Sequence, residues 1–130
     1  MDNNKRDTII LEKIIDYCKI ADETITRFGD SIGILKKDNI YKNALSMCVL
    51  QIGELSNTLS AEFITKHKEI PWKSIISMRN RAAHGYEYFD TDILWQTAKT
   101  DLPALKKYCT EILGIEKAVN EEELFITLPQ

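Results

Sequence analysis

DTIILEKIIDYCKIADETITRFG, residues 7–29, sets the fold class. Ile10, Ile14, Cys18, Ala21, Ile25 and Phe28 recur at three- and four-residue steps. That is the stripe with which an amphipathic helix buries one face. Asp7 stands where an N-cap belongs and Gly29 where a C-terminal stop does, so the segment predicts a helix from Asp7 to Phe28.

The same period continues along the chain. Asn39 is an acceptable cap for a second helix, whose stripe is Leu45, Cys48, Ile52, Leu55, Leu59 and Phe63 and which ends before Pro71. Gly53 in its interior costs about 1 kcal/mol relative to alanine, so close packing is its expected reason. Residues 30–38 carry Ile32, Ile34 and Leu35 and predict a turn or brief helix. Pro71 suits the first turn of a third helix, buried by Ile75, Ile76 and Met78 and stopped by Gly85. After the aromatic loop of Tyr86, Tyr88 and Phe89, Asp90 or Thr91 caps a fourth helix with Ile93, Leu94, Trp95, Ala98 and Leu102. Pro103 kinks or restarts it, and Leu105, Tyr108, Ile112 and Leu113 continue the face to Gly114.

With 130 residues, 44% hydrophobic and 28% charged, the chain fits one core. Short connections make neighbours antiparallel. The expectation is all-α: an antiparallel up-and-down bundle of four to five helices over residues 1–114. Residues 115–130 form an acidic tail ending in an apolar LFITL stretch, left open between disorder and docking on a partner.

No apolar run approaches the roughly 20 residues of a membrane span, and the N-terminal stretch lacks the apolar core of a signal peptide; a cytoplasmic protein is expected. Cys18, Cys48 and Cys109 are odd in number and include no CxxC pair, which points to buried reduced thiols. Two histidines without ligand spacing argue against a metal site, and no cofactor is implied. The net charge is −3, so nucleic acid would not meet a uniformly basic surface. Locally, Lys66, Lys68, Lys73, Arg79 and Arg81 oppose only Glu69 between residues 66 and 86. Both a phosphate-binding patch and a solvated helix face fit that distribution.

The polar chemistry concentrates in RNRAAHGY, residues 79–86. A histidine exchanges protons near neutral pH, and an arginine holds a phosphate and the charge that grows on it. Asn80 and His84 are four apart, so a helix puts them on one face. Arg79 and His84 are separated by about 140° around an ideal helix. They converge only if the helix end unwinds near Gly85, if the arginine side chain curls back, or if two subunits share a cleft. A histidine before a helix-ending glycine is equally a common dipole-stabilising feature, and the spacing alone leaves both readings open.

From Ile70 to Leu105 the sequence resembles the HepT-like toxins of the HEPN family. The hallmark R-x4-H-x-Y falls on Arg79, His84 and Tyr86, after the proline–tryptophan start at Pro71 and Trp72, and the Ile52–Glu54 IGE is similar to part of the family's preceding helix. Leu55 departs from the usual alanine there, and residues 115–130 match nothing in the pattern. The resemblance implies a metal-independent ribonuclease working as a homodimer, its paired motifs lining one cleft. A 2′-hydroxyl would attack the adjacent phosphate, with Arg79 and His84 catalytic and Asn80 in support. It also implies a type VII-like toxin–antitoxin pair, with a minimal nucleotidyltransferase antitoxin, in complex with the toxin, that places AMP on Tyr86. The alternative is a catalytically silent HEPN module that helps a nucleotidyltransferase bind its substrate; a purely structural dimerisation protein is the third possibility.

Of the secondary candidates, Glu54 is placed to pair with Arg79 or Arg81, and Arg81 to add phosphate affinity; both also read as ordinary surface charges. His67 reads as a solvent-facing residue near a helix end. Trp72 and Trp95 read as core or dimer-interface aromatics rather than base-stacking platforms.

Overall fold

The structure, a computed structural model, describes the backbone of residues 3–82 and 90–127 and the side chains of residues 3–79 and 90–115. Its elements are α1 (Asn3–Phe28), α2 (Ile32–Lys37), α3 (Asn39–Asn57), α4 (Ala61–Lys66), α5 (Trp72–Ala82), α6 (Thr91–Gln96), a π-helical turn (Thr97–Asp101) and α7 (Leu102–Thr127). There is no strand among the described residues. The fold is an all-α bundle, as the periodicity predicts.

Each α1 stripe residue from Ile10 to Ile25 is buried, and Phe28 packs half-buried at the stripe's end. Gly29 ends α1 with φ +126°, a left-handed conformation that favours glycine. Its carbonyl accepts a 3.0 Å hydrogen bond from Tyr41 Oη at the start of α3. At the opposite end Arg6 Nη2 donates to the carbonyl of Thr58, just past α3. These two contacts make α1 and α3 antiparallel. On the other side of α1, Lys106 of α7 lies 3.6 Å from Asp22, and Lys99 of the π turn bonds Asp30 at 2.8 Å. Helix α7 therefore also runs against α1.

Four local readings need correction. Helix α1 begins at Asn3, so Asp7 does not cap it. Asp7 is buried inside the helix, where its carboxylate accepts the Ser60 backbone N–H at 2.9 Å and the Ser60 hydroxyl at 2.6 Å. The cap of α3 is Asp38 rather than Asn39; its carboxylate accepts from the N–H groups of Ile40 and Tyr41. Helix α3 stops at Asn57 instead of running to Pro71, because Ser60 starts a separate helix by accepting from Phe63 N–H. Leu59 and Phe63 remain buried on either side of that break. Gly114, lastly, does not end α7. A Cβ there would meet nothing within 4 Å, so packing does not require glycine at that point of the helix.

Residues 30–38 do hold a brief helix, α2, and Asp90 is the cap of α6. Pro103 is accommodated without a break. A proline lacks an N–H, and its ring crowds the carbonyl four residues back. The π turn widens the helix at that point, with the Leu102 N–H reaching back to Thr97 O. Cys18, Cys48 and Cys109 are free and buried, and desolvation pushes their pKa values up to about 12, 11 and 12 respectively. None of the helices described is long and apolar enough to cross a membrane.

Candidate active site

Helix α5 carries Arg79, the first residue of the motif, and α3 packs against it there. The start of α5 is fixed by Trp72, which is buried and donates its indole N–H to the His67 carbonyl at 2.9 Å. That corrects the reading of His67. Its ring lies 4.4 Å from Phe63 and 6.2 Å from Tyr108, half-buried in an aromatic cluster rather than facing solvent. Further along, the Thr97 hydroxyl approaches Met78 Sδ at 3.9 Å and braces the inner flank of α5. Trp95 packs half-buried on the core, with Lys99 Nζ 5.7 Å from its ring centre.

Helices α3 and α5 approach closely at Gly53. A Cβ there would lie 3.0 Å from Arg79 Cβ, 3.2 Å from Arg79 N and 3.2 Å from Ile75 O. Two of those three atoms are backbone and cannot rotate aside. Glycine is thus the residue that lets the two backbones meet at Arg79, which is the packing reason expected for it.

One residue later, Glu54 Oε1 lies 3.7 Å from Arg79 Nη1, the two side chains 53% and 32% exposed. At that distance the contact is electrostatic rather than a hydrogen bond. The pairing holds the guanidinium at the mouth of the seam, and the five N–H donors of an arginine suit a planar, bidentate grip on phosphate. An exposed pair of this kind contributes only about 0.2–1 kcal/mol to stability. Of the two partners weighed for Glu54, Arg79 is brought to it; the Arg81 side chain lies outside the described residues.

Asn80 and Arg81 follow within α5, which ends at Ala82; their side chains lie outside the described residues, as do His84 and Tyr86 altogether. The negative end of the α5 dipole favours cations in its last turn, where Arg79 and Arg81 are placed. Among the described residues no group of three His, Cys, Asp or Glu is arranged to hold a metal ion. Sequence reasoning passed over two features: the Asp7–Ser60 clamp, and a groove between α3, α4 and α5 near Ser56 and Lys73. The clamp had no signal in spacing, because its partners are 53 residues apart.

Comparison with known proteins places the chain among ribonucleases of one family. A family model described as Ribonuclease HepT-like matches residues 10–112. A candidate RNase of Caldanaerobacter subterraneus subsp. tengcongensis is 35% identical over 107 residues, which is 82% of this chain and 94% of that one. A probable ribonuclease HepT of Thermococcus cleftensis is 42% identical over 55 residues, 42% of this chain and 50% of that one. A candidate RNase of Methanocaldococcus jannaschii is 29% identical over 78% of this chain and 79% of its own. No solved structure gives a significant match.

Proposed function

From the premise that this chain belongs to the HepT-like ribonuclease family, we propose that it cleaves RNA without a metal, using Arg79 and His84. The observation that carries the reading is the Gly53–Glu54 seat: glycine brings α5 against α3 at Arg79, and the carboxylate holds a half-exposed guanidinium there. In the reaction the ribose 2′-oxygen bonds to the adjacent phosphorus and the bond to the 5′-oxygen breaks. The 2′-hydroxyl loses its proton and the leaving oxygen gains one. His84 exchanges those protons, and Arg79 holds the phosphate while charge builds on it. Asn80 supports the imidazole and Arg81 adds phosphate affinity.

The working unit is a homodimer with a shared cleft. Ile40 and Met47 are 72% and 52% exposed on α3. With Glu54 they follow at seven-residue steps along its outer face, so an apolar stripe leads directly to the ion pair. A second copy packed on that stripe would bring two motifs together, which the wide angle between Arg79 and His84 on one ideal helix favours. The protein is the toxin of a type VII-like toxin–antitoxin pair. A minimal nucleotidyltransferase antitoxin silences it by moving AMP from ATP to the Tyr86 hydroxyl, with release of pyrophosphate. A bulky anion two residues from His84 would exclude and repel an RNA phosphate.

Purified protein in EDTA should cleave single-stranded RNA, and His84→Ala and Arg79→Ala should each reduce the rate by at least about a hundredfold, the scale of lost acid–base or charge stabilisation. Cleavage that survives both changes would remove the assignment. Complex formation with the transferase, without cleavage by the wild type, would point instead to a silent helper module.

A further inference from the structure

Beside the Arg79 seat lies a groove of about 400 Å³ between the end of α3, the start of α4 and the start of α5. We propose that it receives one unpaired RNA base next to the scissile linkage, an inference that rests on the ribonuclease reading above. Its walls are apolar: Ile64, Trp72 and Ile76 line it, with Ser56, Asn57 and Lys73.

Four observations select this occupant. First, the volume falls within the range of about 300–1,000 Å³ typical of small-ligand pockets. A partner helix needs a longer groove, with room for anchors at i, i+4 and i+7. Second, Ser56 is wholly buried, lines the groove, and its hydroxyl has no hydrogen-bond partner among the described residues. A buried hydroxyl left unpaired is costly, and the polar edge of a base would satisfy it. Third, Lys73 brings a cation to the groove, within a segment that carries Lys66, Lys68, Arg79 and Arg81 against Glu69. Fourth, Ile76 and Arg79 are three apart on α5, one turn along the same side. A strand whose phosphate sits on Arg79 can therefore turn its neighbouring base into the groove, with Lys73 on the next phosphate. Apolar and aromatic walls accept any base face, so the groove selects for an unstacked, single-stranded nucleotide rather than for a sequence.

The test uses the full chain and a fluorescein-labelled 12-nucleotide single-stranded RNA carrying one 2′-deoxyribose at the mapped cleavage position, so that it binds without being cut. An abasic residue is moved through each position in turn. One position beside the deoxyribose should weaken binding by about tenfold, the low end of what one stacked base contributes. Ala61→Phe, at an exposed position that lines the groove, should weaken intact RNA by a similar factor and be indifferent to the abasic substitution. A thermal melt checks that it folds. Lys73→Gln is the second variant, expected to lower affinity two- to threefold and to flatten the salt dependence by about one phosphate contact.

A flat abasic scan with wild-type RNA cleavage intact overturns the base pocket alone. Absence of both binding and cleavage in the wild type overturns the Arg79 site and the pocket with it. Ala61→Phe that changes the molar mass by light scattering, with RNA binding unmoved, assigns the groove to a protein contact and also overturns the proposal.

Discussion

Helix α3 forms two seams, and it uses opposite means to close them. Against α1 it packs large apolar side chains and fastens both ends with polar contacts: Tyr41 to Gly29 at one, Ser60 to Asp7 and Arg6 to Thr58 at the other. Against α5 the close contact is made by a residue with no side chain, Gly53, and the seam ends in a half-exposed ion pair. The first arrangement buries its apolar side chains and pairs the one carboxylate buried with them, Asp7, to Ser60. The second gives up side-chain burial to present a charged group at a fixed place. One seam closes on buried side chains, and the other leaves a charged side chain half-exposed at its edge.

The largest effect expected from this contrast lies on the dry side. Cys18, Cys48 and Cys109 have pKa values raised by burial from the ordinary 9.0 to about 12, 11 and 12. A raised folded-state pKa means that the unfolded chain loses its thiol protons first as pH rises. The stabilising contribution is therefore complete below pH 9 and is lost progressively from pH 9 through about 11–12. A tenfold difference in proton affinity between the folded and unfolded chain corresponds to about 1.4 kcal/mol, so three thiols together should destabilise the fold severely in alkali. Urea unfolding at pH 8 and pH 10.5 measures the slope. At pH 8 a thiol reagent should label none of the three in the native protein and all three after denaturation. Rapid native labelling of Cys18 or Cys48 would show that this seam is not dry and would remove half of the comparison.

The second effect tests the other seam. Gly53→Ala gains about 1 kcal/mol of helix propensity but places a Cβ against the backbone of Ile75 and Arg79 at 3.2 Å. Overpacking of this kind costs about 1–3 kcal/mol, so the net change should be a loss of about 0–2 kcal/mol. RNA cleavage should fall by more than that loss explains, because α5 must move away from α3 at Arg79 itself. A variant that is more stable and equally active would mean that the close approach has slack.

The two seams also differ in how far they can be read from sequence. The α1 and α3 stripes are periodic, so the buried set from Ile10 to Ile25 and from Leu45 to Ile52 follows from spacing alone. Gly29 and Asp90 were legible for a related reason, since a helix end writes its chemistry within a few residues. Asp7 was misread because a carboxylate before an apolar run has the local signature of a cap; its real partner, Ser60, is distant in sequence. Gly114 failed for the converse reason: glycine ends a helix only when tertiary structure asks for a turn. At the site, Gly53 and Glu54 could be suspected from the interruption in an apolar helix, but the meeting of Glu54 with Arg79 needed the register between α3 and α5. The Ser56–Lys73 groove left no pattern, because three helices contribute to it and none is unusual by itself.

The smallest expected change in stability gives the sharpest separation of the two seams. Glu54→Gln keeps the shape of the side chain and removes its charge. The pair is partly exposed and lacks hydrogen-bond geometry, so unfolding should shift by no more than about 0.5 kcal/mol. If Glu54 positions Arg79, loss of the carboxylate should leave the guanidinium free to adopt other rotamers, and the turnover of bound RNA should fall about five- to tenfold. The ground-state affinity should change little or even rise, because removing an anion beside the phosphate site also removes repulsion. A merely structural carboxylate predicts the reverse, with both kcat and KM unmoved. Glu54→Asp separates the two further: a shorter acid restores the charge but not the reach, so a positioning role predicts partial recovery of kcat. Equal rates for wild type, Gln and Asp would reduce Glu54 to a surface charge, and the α3–α5 seam would then be defined by Gly53 alone.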